Sequence, residues 1–160
     1  MRAKWYYDTP VGVITVAEEE GKLVQLLFGR QEQVDGILKE TNILKNTYQQ
    51  LEEYFVGTRH TFTIPLGLSG THFQTVVWQA LQEIPYGATW SYQQLASKIG
   101  CAFATRAVGM ANHKNPISIL IPCHRVIGKN KKLTGYGGGL AIKKALLELE
   151  GIKIHDFKCQ

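Results

Sequence analysis

The sequence predicts an α/β chain of the α+β kind, with a small antiparallel sheet and helices in its N-terminal half and a mostly helical C-terminal half containing a helix-turn-helix. Three observations carry this expectation. Apolar and β-branched residues run between tight turns through the segment ending at Phe28. Two Ser/Thr-x-x-Gln capping boxes, Thr71–Gln74 and Ser91–Gln94, open later segments. The linker-like Leu66-Gly-Leu-Ser-Gly70 coincides with a reversal of charge and is the expected boundary, giving domains at 1–67 and 68–153 and a tail at 154–160.

Each element has a local reason. Lys4–Tyr7, Val13–Ala17 and Lys22–Phe28 read as three strands, joined by turns at Thr9–Gly12 and Glu20–Gly21. Helical spacing is expected to take over with Ile37 and Leu38 and to continue through Tyr48, Leu51 and Phe55. Past the boundary, Phe73, Val76, Val77 and Leu81 share one helical face, ended by Pro85-Tyr-Gly87. A short helix after Ser91 turns Leu95 and Ile99 inward and stops at Gly100. A further helix spans about Thr105 to His113 before Asn115-Pro116 breaks it, and the two together resemble a helix-turn-helix. Ile117–Ile121 is a buried apolar run, and Thr134–Gly139 is a loop in which the backbone turns sharply. A last helix, about Leu140 to Glu150, buries Ile142, Leu146 and Leu149. Lys153 to Gln160 reads as a loose tail with an exposed Cys159.

With 44% hydrophobic and 19% charged residues over 160 positions, the chain can bury a core, which excludes a disordered or coiled-coil protein. No apolar run is long enough to span a bilayer and no leader is visible, so a soluble, cytoplasmic protein (nuclear in a eukaryote) without a membrane partner is expected. Three cysteines without a C-x-x-C pair suggest neither a disulfide framework nor a zinc site, and no metal or cofactor is expected. The net charge of +5 is unevenly distributed. Residues 1–70 hold 7 Lys/Arg against 9 Asp/Glu, whereas 71–160 hold 11 against 4, with no acid between Glu83 and Glu148. Such segregation suits a polyanion such as nucleic acid; a solvated basic face is the bland alternative.

Cys123 stands apart from Cys101 and Cys159 because a proline precedes it and His124 and Arg125 follow it. These surroundings are expected to favour thiolate, the nucleophilic form. Adjacent side chains rarely aim at one point, so His124 is expected to act through a water, with a later carboxylate, Glu148 or Glu150, orienting it. A buried inert cysteine beside a surface histidine is the alternative.

Pro122-Cys-His-Arg-Val126, together with Arg106-Ala-Val-Gly109, Asn115-Pro116, Ile119–Ile121, Gly135–Gly139 and Glu150-Gly151, resembles the O6-alkylguanine-DNA alkyltransferases over about residues 72–151. Residues 1–66 resemble, more loosely, that family's ribonuclease-H-like N-terminal domain. The resemblance implies a repair protein that flips O6-alkylguanine, and O4-alkylthymine, out of duplex DNA and transfers the alkyl group irreversibly to Cys123 in one turnover. It implies His124 as proton relay, Glu150 as its polarising partner, Tyr136 as donor to the base oxygen and Asn115 as a brace. Lys143 would support Tyr136, and Val126 and Gly138 would line the substrate pocket with them. Arg106 would fill the gap left by the extruded base, and Tyr92 would crowd the neighbouring phosphate. Ala107, Gly109 and Ala111 would allow close approach to the minor groove, and Arg125 would contact DNA. The partner implied is duplex DNA carrying alkylated guanine, with no obligate protein partner and with self-association on DNA left open.

The chain departs from the family pattern at Ser118, Met110, Asn112 and His113, which bears on how bulky an alkyl group is accepted. Two alternatives share some of these residues. One is a cysteine hydrolase or acyltransferase using Cys123, His124 and Glu150; the other is a DNA-binding module without chemistry.

Overall fold

The computed structural model describes residues 1–128, 132–133, 136, 138–153 and 158–159, the pairs 132–133 and 158–159 by their backbone alone. It contains two compact units, Met1–Ser69 with Pro116–Ser118, and Gly70–Asn115 with Ile119–Gln160.

In the first unit, β1 (Arg2–Thr9), β2 (Gly12–Glu19) and β3 (Lys22–Phe28) form the antiparallel meander that the alternation predicts. The β2–β3 turn is tight because Glu20 and Gly21 both take positive φ, the primed-turn geometry that matches strand twist. The sheet has a fourth strand, however. Ile37–Leu38, expected on a helix, is β4 and pairs parallel with β1 at Ala3 and Lys4, giving the order β3-β2-β1-β4. Two residues are too few to show a period, so an apolar pair here reads equally as a helix start. Helix α1 (Asn42–Phe55) follows, and its buried stripe is Leu44, Thr47, Leu51 and Tyr54. Tyr48, expected on that stripe, sits at its edge and stacks on Tyr7 with ring centroids 4.1 Å apart. Pro116–Ser118, expected in the C-terminal domain, joins this unit through β3: Leu26 N–H donates to Pro116 O, and Ser118 N–H to Leu26 O.

The second unit positions the chemistry. Both capping boxes close as the sequence expects. Thr71 starts α2 (His72–Leu81) and Ser91 starts α3 (Tyr92–Lys98), each hydroxyl accepting from the N3 backbone while the N3 glutamine accepts from the cap. Gly100, at φ +77°, reverses the chain after α3, and α4 (Thr105–His113) follows the short turn. Trp78 of α2 locks this pair by donating from Nε1 to Ala111 O at 2.8 Å. β5 (Trp90–Ser91) pairs parallel with β6 (Val126–Ile127), which ties the start of α3 to the segment just after Cys123.

Helix α5 (Leu140–Leu149) buries Lys143, Leu146 and Leu147, whereas Ile142 and Leu149, expected inside, are only half-buried. The displacement arises because a lysine occupies the inner face, so the apolar residues alone misplace the stripe. The tail is not wholly loose: Lys158–Cys159 (β8) pairs parallel with Lys132–Leu133 (β7). The Cys159 side chain, and positions 134, 135 and 137 of the glycine loop, lie outside the described residues.

Candidate active site

The segment entering Cys123 is held by backbone accounting. Ile119, a β-branched residue, takes φ +74°, a costly conformation that persists because its side chain is packed with 1% exposure. The turn it makes presents Ile121 O to two donors, Asn115 Nδ2 at 2.7 Å and the Cys123 N–H at 2.8 Å. Asn115 thereby braces the path of the chain into Cys123, which opens a single 3₁₀ turn, Cys123–Arg125. All three residues of that turn are buried.

Beneath the turn lies a buried carboxylate with every acceptor position engaged. Glu150 Oε2 accepts from His124 Nε2 at 2.7 Å and from Arg125 Nη2 at 3.1 Å. Its Oε1 accepts from Arg125 Nε at 2.8 Å and from Gly87 N–H at 3.2 Å. Arg125 also donates from Nη1 to Ile84 O at 2.7 Å. Gly87 is at φ +79°, and a Cβ there would lie 3.3 Å from Glu150 O, so the Pro85-Tyr-Gly87 turn needs glycine to reach the carboxylate. The expected DNA contact at Arg125 is therefore corrected. The residue is 6% exposed and its guanidinium forks onto Glu150, leaving it unavailable to a phosphate.

This arrangement sets the protonation states. Burial pushes Glu150 up, but hydrogen bonding and charge from His124 and Arg125 outweigh it and hold the carboxyl at about 2. Burial lowers His124, against the raising influence of Glu150, so the ring is neutral at rest. Since Nε2 faces an ionised acceptor, it carries the proton. Nδ1 is then the basic nitrogen, and among the described residues it has no hydrogen-bond partner. At Cys123, burial pushes the thiol up; hydrogen bonding with Asn115, the Lys143 charge and hydrogen bonding with Tyr136 recover only part of that shift. The expectation of a resting thiolate is corrected accordingly: burial dominates, and the thiol keeps its proton until a base removes it. Lys143, fully buried on α5, is lowered to about 8 by desolvation, against the opposing influence of Cys123.

Cys123, His124, Glu150, Asn115, Tyr136 and Lys143 are thus linked, with Glu148 exposed and apart. Tyr136 and Gly138 are half-buried, and Val126 is fully buried on β6. On α4, Arg106, Ala107, Met110, His113 and Lys114 point outward. Ala111, expected on that face, is instead in the core at 3% exposure, on the inner stripe with Val108 and Asn112. Gly109 faces Tyr92, and a Cβ there would meet the ring at 3.6 Å. Sequence reasoning missed the Arg125–Glu150 fork and the Gly87 donor. The one available signal was that Glu148 and Glu150 are the first acids after a long basic stretch. Among the described residues, no group of three or more His, Cys, Asp or Glu could hold a metal ion. No helix among them is long and apolar enough to cross a membrane.

Comparison with known proteins agrees with this geometry. Residues 72–152 match the family model described as 6-O-methylguanine DNA methyltransferase, DNA binding domain, and residues 3–68 match the ribonuclease-like domain of the same family. The chain is 47% identical over 157 residues to the constitutive methylated-DNA–protein-cysteine methyltransferase of Bacillus subtilis, covering 93% of this chain and 95% of that protein. It is 48% identical over 149 residues to the methylated-DNA–protein-cysteine methyltransferase of Methanosarcina acetivorans, covering 91% and 96%. Among solved structures, that of Mycobacterium tuberculosis OGT in complex with DNA superposes with a TM-score of 0.87 at 45% identity, covering 92% of each chain. With both domains matched and relatives this similar along nearly the whole length, the chain belongs to the 6-O-methylguanine DNA methyltransferase family.

Proposed function

We propose that this protein repairs alkylated duplex DNA by taking the alkyl group from O6 of an extruded guanine, or O4 of thymine, onto its own Cys123, once per molecule. The observation that carries this reading is the buried His124, fixed by Glu150 through Nε2 so that Nδ1 is its basic nitrogen, next in sequence to a buried Cys123 that keeps its proton. The Cys123 proton passes through a water to His124 Nδ1. The Sγ–carbon bond forms as the carbon–O6 bond breaks, and the breaking pair goes to the oxygen. Tyr136 donates to the base as this charge develops, and Lys143 balances the transient thiolate. The proton held on His124 completes the balance, so guanine leaves neutral and no cofactor enters. A thioether does not hydrolyse in neutral water, so each molecule acts once.

The alkyl carbon of a stacked base cannot reach a buried sulfur, so the nucleotide must leave the helix. The exposed Arg106 on α4 suits the gap it leaves, and the half-buried Tyr92, packed beside Gly109, suits crowding of the adjacent phosphate. A hydrolase reading would share the Cys123–His124–Glu150 line but would leave this cationic helix without a role.

Intact-protein and peptide mass spectrometry after incubation with O6-methylguanine duplex tests the reading. One methyl group per protein is expected, on Cys123 and absent in Cys123→Ser. Unchanged protein mass after prolonged exposure overturns it, and turnover without a retained group points to a hydrolase.

A further inference from the structure

Two large apolar side chains stand in solvent on the same helix-turn-helix that carries Arg106. Phe103 is fully exposed, at 105%, and Met110 is 62% exposed. Neither is explained by the fold. Phe103 is not on a loose loop: its turn is held by Ala104 N–H to Cys101 O at 2.8 Å and by Cys101 N–H to Ala96 O at 2.9 Å. Gln93 then clamps it from α3, donating to Ala102 O at 3.0 Å and accepting from Thr105 Oγ1 at 3.0 Å. A firmly held turn that lifts a phenyl ring wholly into water presents that ring as a contact.

Met110 occupies α4's outer face one turn beyond Arg106, with Ala107, His113 and Lys114 around it. This face is not the small-residue surface that Ala107, Gly109 and Ala111 imply, because Ala111 is in the core and Gly109 lies against Tyr92. Its outward relief is a cationic rim around a flexible thioether, preceded by a ring at the turn. The stretch from Glu83 to Glu148 has no acid to repel a polyanion. Apolar wedges bounded by Arg and Lys suit the grooves of DNA, where they pack on deoxyribose rings or between base steps while the cations meet phosphates.

We propose that Phe103 and Met110 are duplex-binding residues, forming a salt-insensitive apolar contact beside Arg106 that sets how tightly this protein holds DNA. The inference rests on the proposed repair function. It assigns to these side chains a contribution separable from that of the cations, because apolar burial releases no counterions.

The test measures affinity for a short duplex, long enough for one protein only, across a salt series for wild type, Phe103→Ala, Met110→Ala and Lys114→Ala. Alkyl transfer to Cys123 from free O6-benzylguanine is followed in parallel as a readout of the active-site segment alone. Each apolar variant should bind the duplex about tenfold more weakly at every salt concentration, with the wild-type slope of log K against log salt. Lys114→Ala should lower that slope by about 1. Wild-type duplex affinity in both apolar variants overturns the proposal. So does a loss seen only on longer duplexes that hold several proteins, which would make the patch a contact between copies. Failure of wild type to take up a methyl group from an O6-methylguanine duplex would instead overturn the repair function itself, so the two failures are distinct.

Discussion

The Cys123–Arg125 turn and the outer face of α4 draw on the same acid-free, cation-rich stretch, yet they use their charges in opposite ways. At the turn, Arg125 is buried and paired through two nitrogens to one carboxylate, which also fixes His124. On α4, Arg106 and Lys114 are exposed, and no ion pair among the described residues involves them. A positive charge in the sequence therefore has no single meaning. Where its counter-charge is built into the fold it orients a reacting group, and where it has none it is available to a polyanion.

The largest expected effect comes from removing the shared counter-charge. Glu150→Ala leaves the Arg125 guanidinium buried without its counter-charge, held only by its bond to Ile84 O, and frees His124 to rotate. Stability should fall by about 3–5 kcal/mol, as when one member of a buried pair is lost. Transfer to Cys123 should fall by about two orders of magnitude or more, since the base loses its tautomer and orientation together. Urea unfolding and single-turnover kinetics check the two separately. The pH dependence has a defined sign. Glu150 is held at about 2, below its ordinary 4.5, so its stabilisation is fully present above about pH 4.5 and is lost as pH falls towards 2. In Glu150→Gln that acid-side loss should be missing from the unfolding curve. A variant that kept both stability and rate would show that the turn does not depend on its carboxylate, and the contrast with α4 would collapse.

Much of this was legible beforehand, and the misses share a cause. Strands β1–β3, both capping boxes and the span of α4 follow from local chemistry, which a sequence displays directly. Ile37–Leu38 was misplaced because two residues carry no period, and its partner Ala3–Lys4 lies far along the chain. Arg125 was misassigned because a sequence displays charge but not burial. Its partner lies on the far side of the basic stretch, after α5. The same blindness made Cys123 read as a thiolate, since the neighbouring cations were visible and the desolvation opposing them was not. The linkage of Cys123, His124 and Glu150 was accessible mainly because the motifs resemble a known family.

Lys143 sharpens the comparison at intermediate cost, being a buried cation whose charge desolvation disfavours. Its folded value of about 8 lies below the ordinary 10.5, so folding disfavours its charge. The penalty is present below about pH 8 and is relieved as pH rises towards 10.5. Lys143→Met should therefore stabilise the fold at pH 7, by about 3 kcal/mol at most given ~1.4 kcal/mol per pKa unit. The same change removes a charge that favours the Cys123 thiolate, so transfer at pH 7 should slow by about tenfold. Raising the pH should recover much of that rate. Thermal unfolding set beside a pH–rate profile checks both, and a variant at once slower and less stable would mean that the lysine serves packing rather than charge.

Arg106 gives the smallest effect on the chemistry and the cleanest separation of the two regions. Because its side chain is solvent-exposed, Arg106→Ala should leave the unfolding free energy within about 0.5 kcal/mol of wild type. Repair of an O6-methylguanine duplex should slow by at least tenfold, as the proposed role of Arg106 in filling the space of the extruded base requires. Transfer from a free modified guanine, which needs no extrusion, should change little. The ratio of the two rates is the quantity to measure. Equal slowing on both substrates would mean that α4 and the Cys123–Arg125 turn are energetically coupled, and that the exposed cation helps set the reactivity of the buried sulfur.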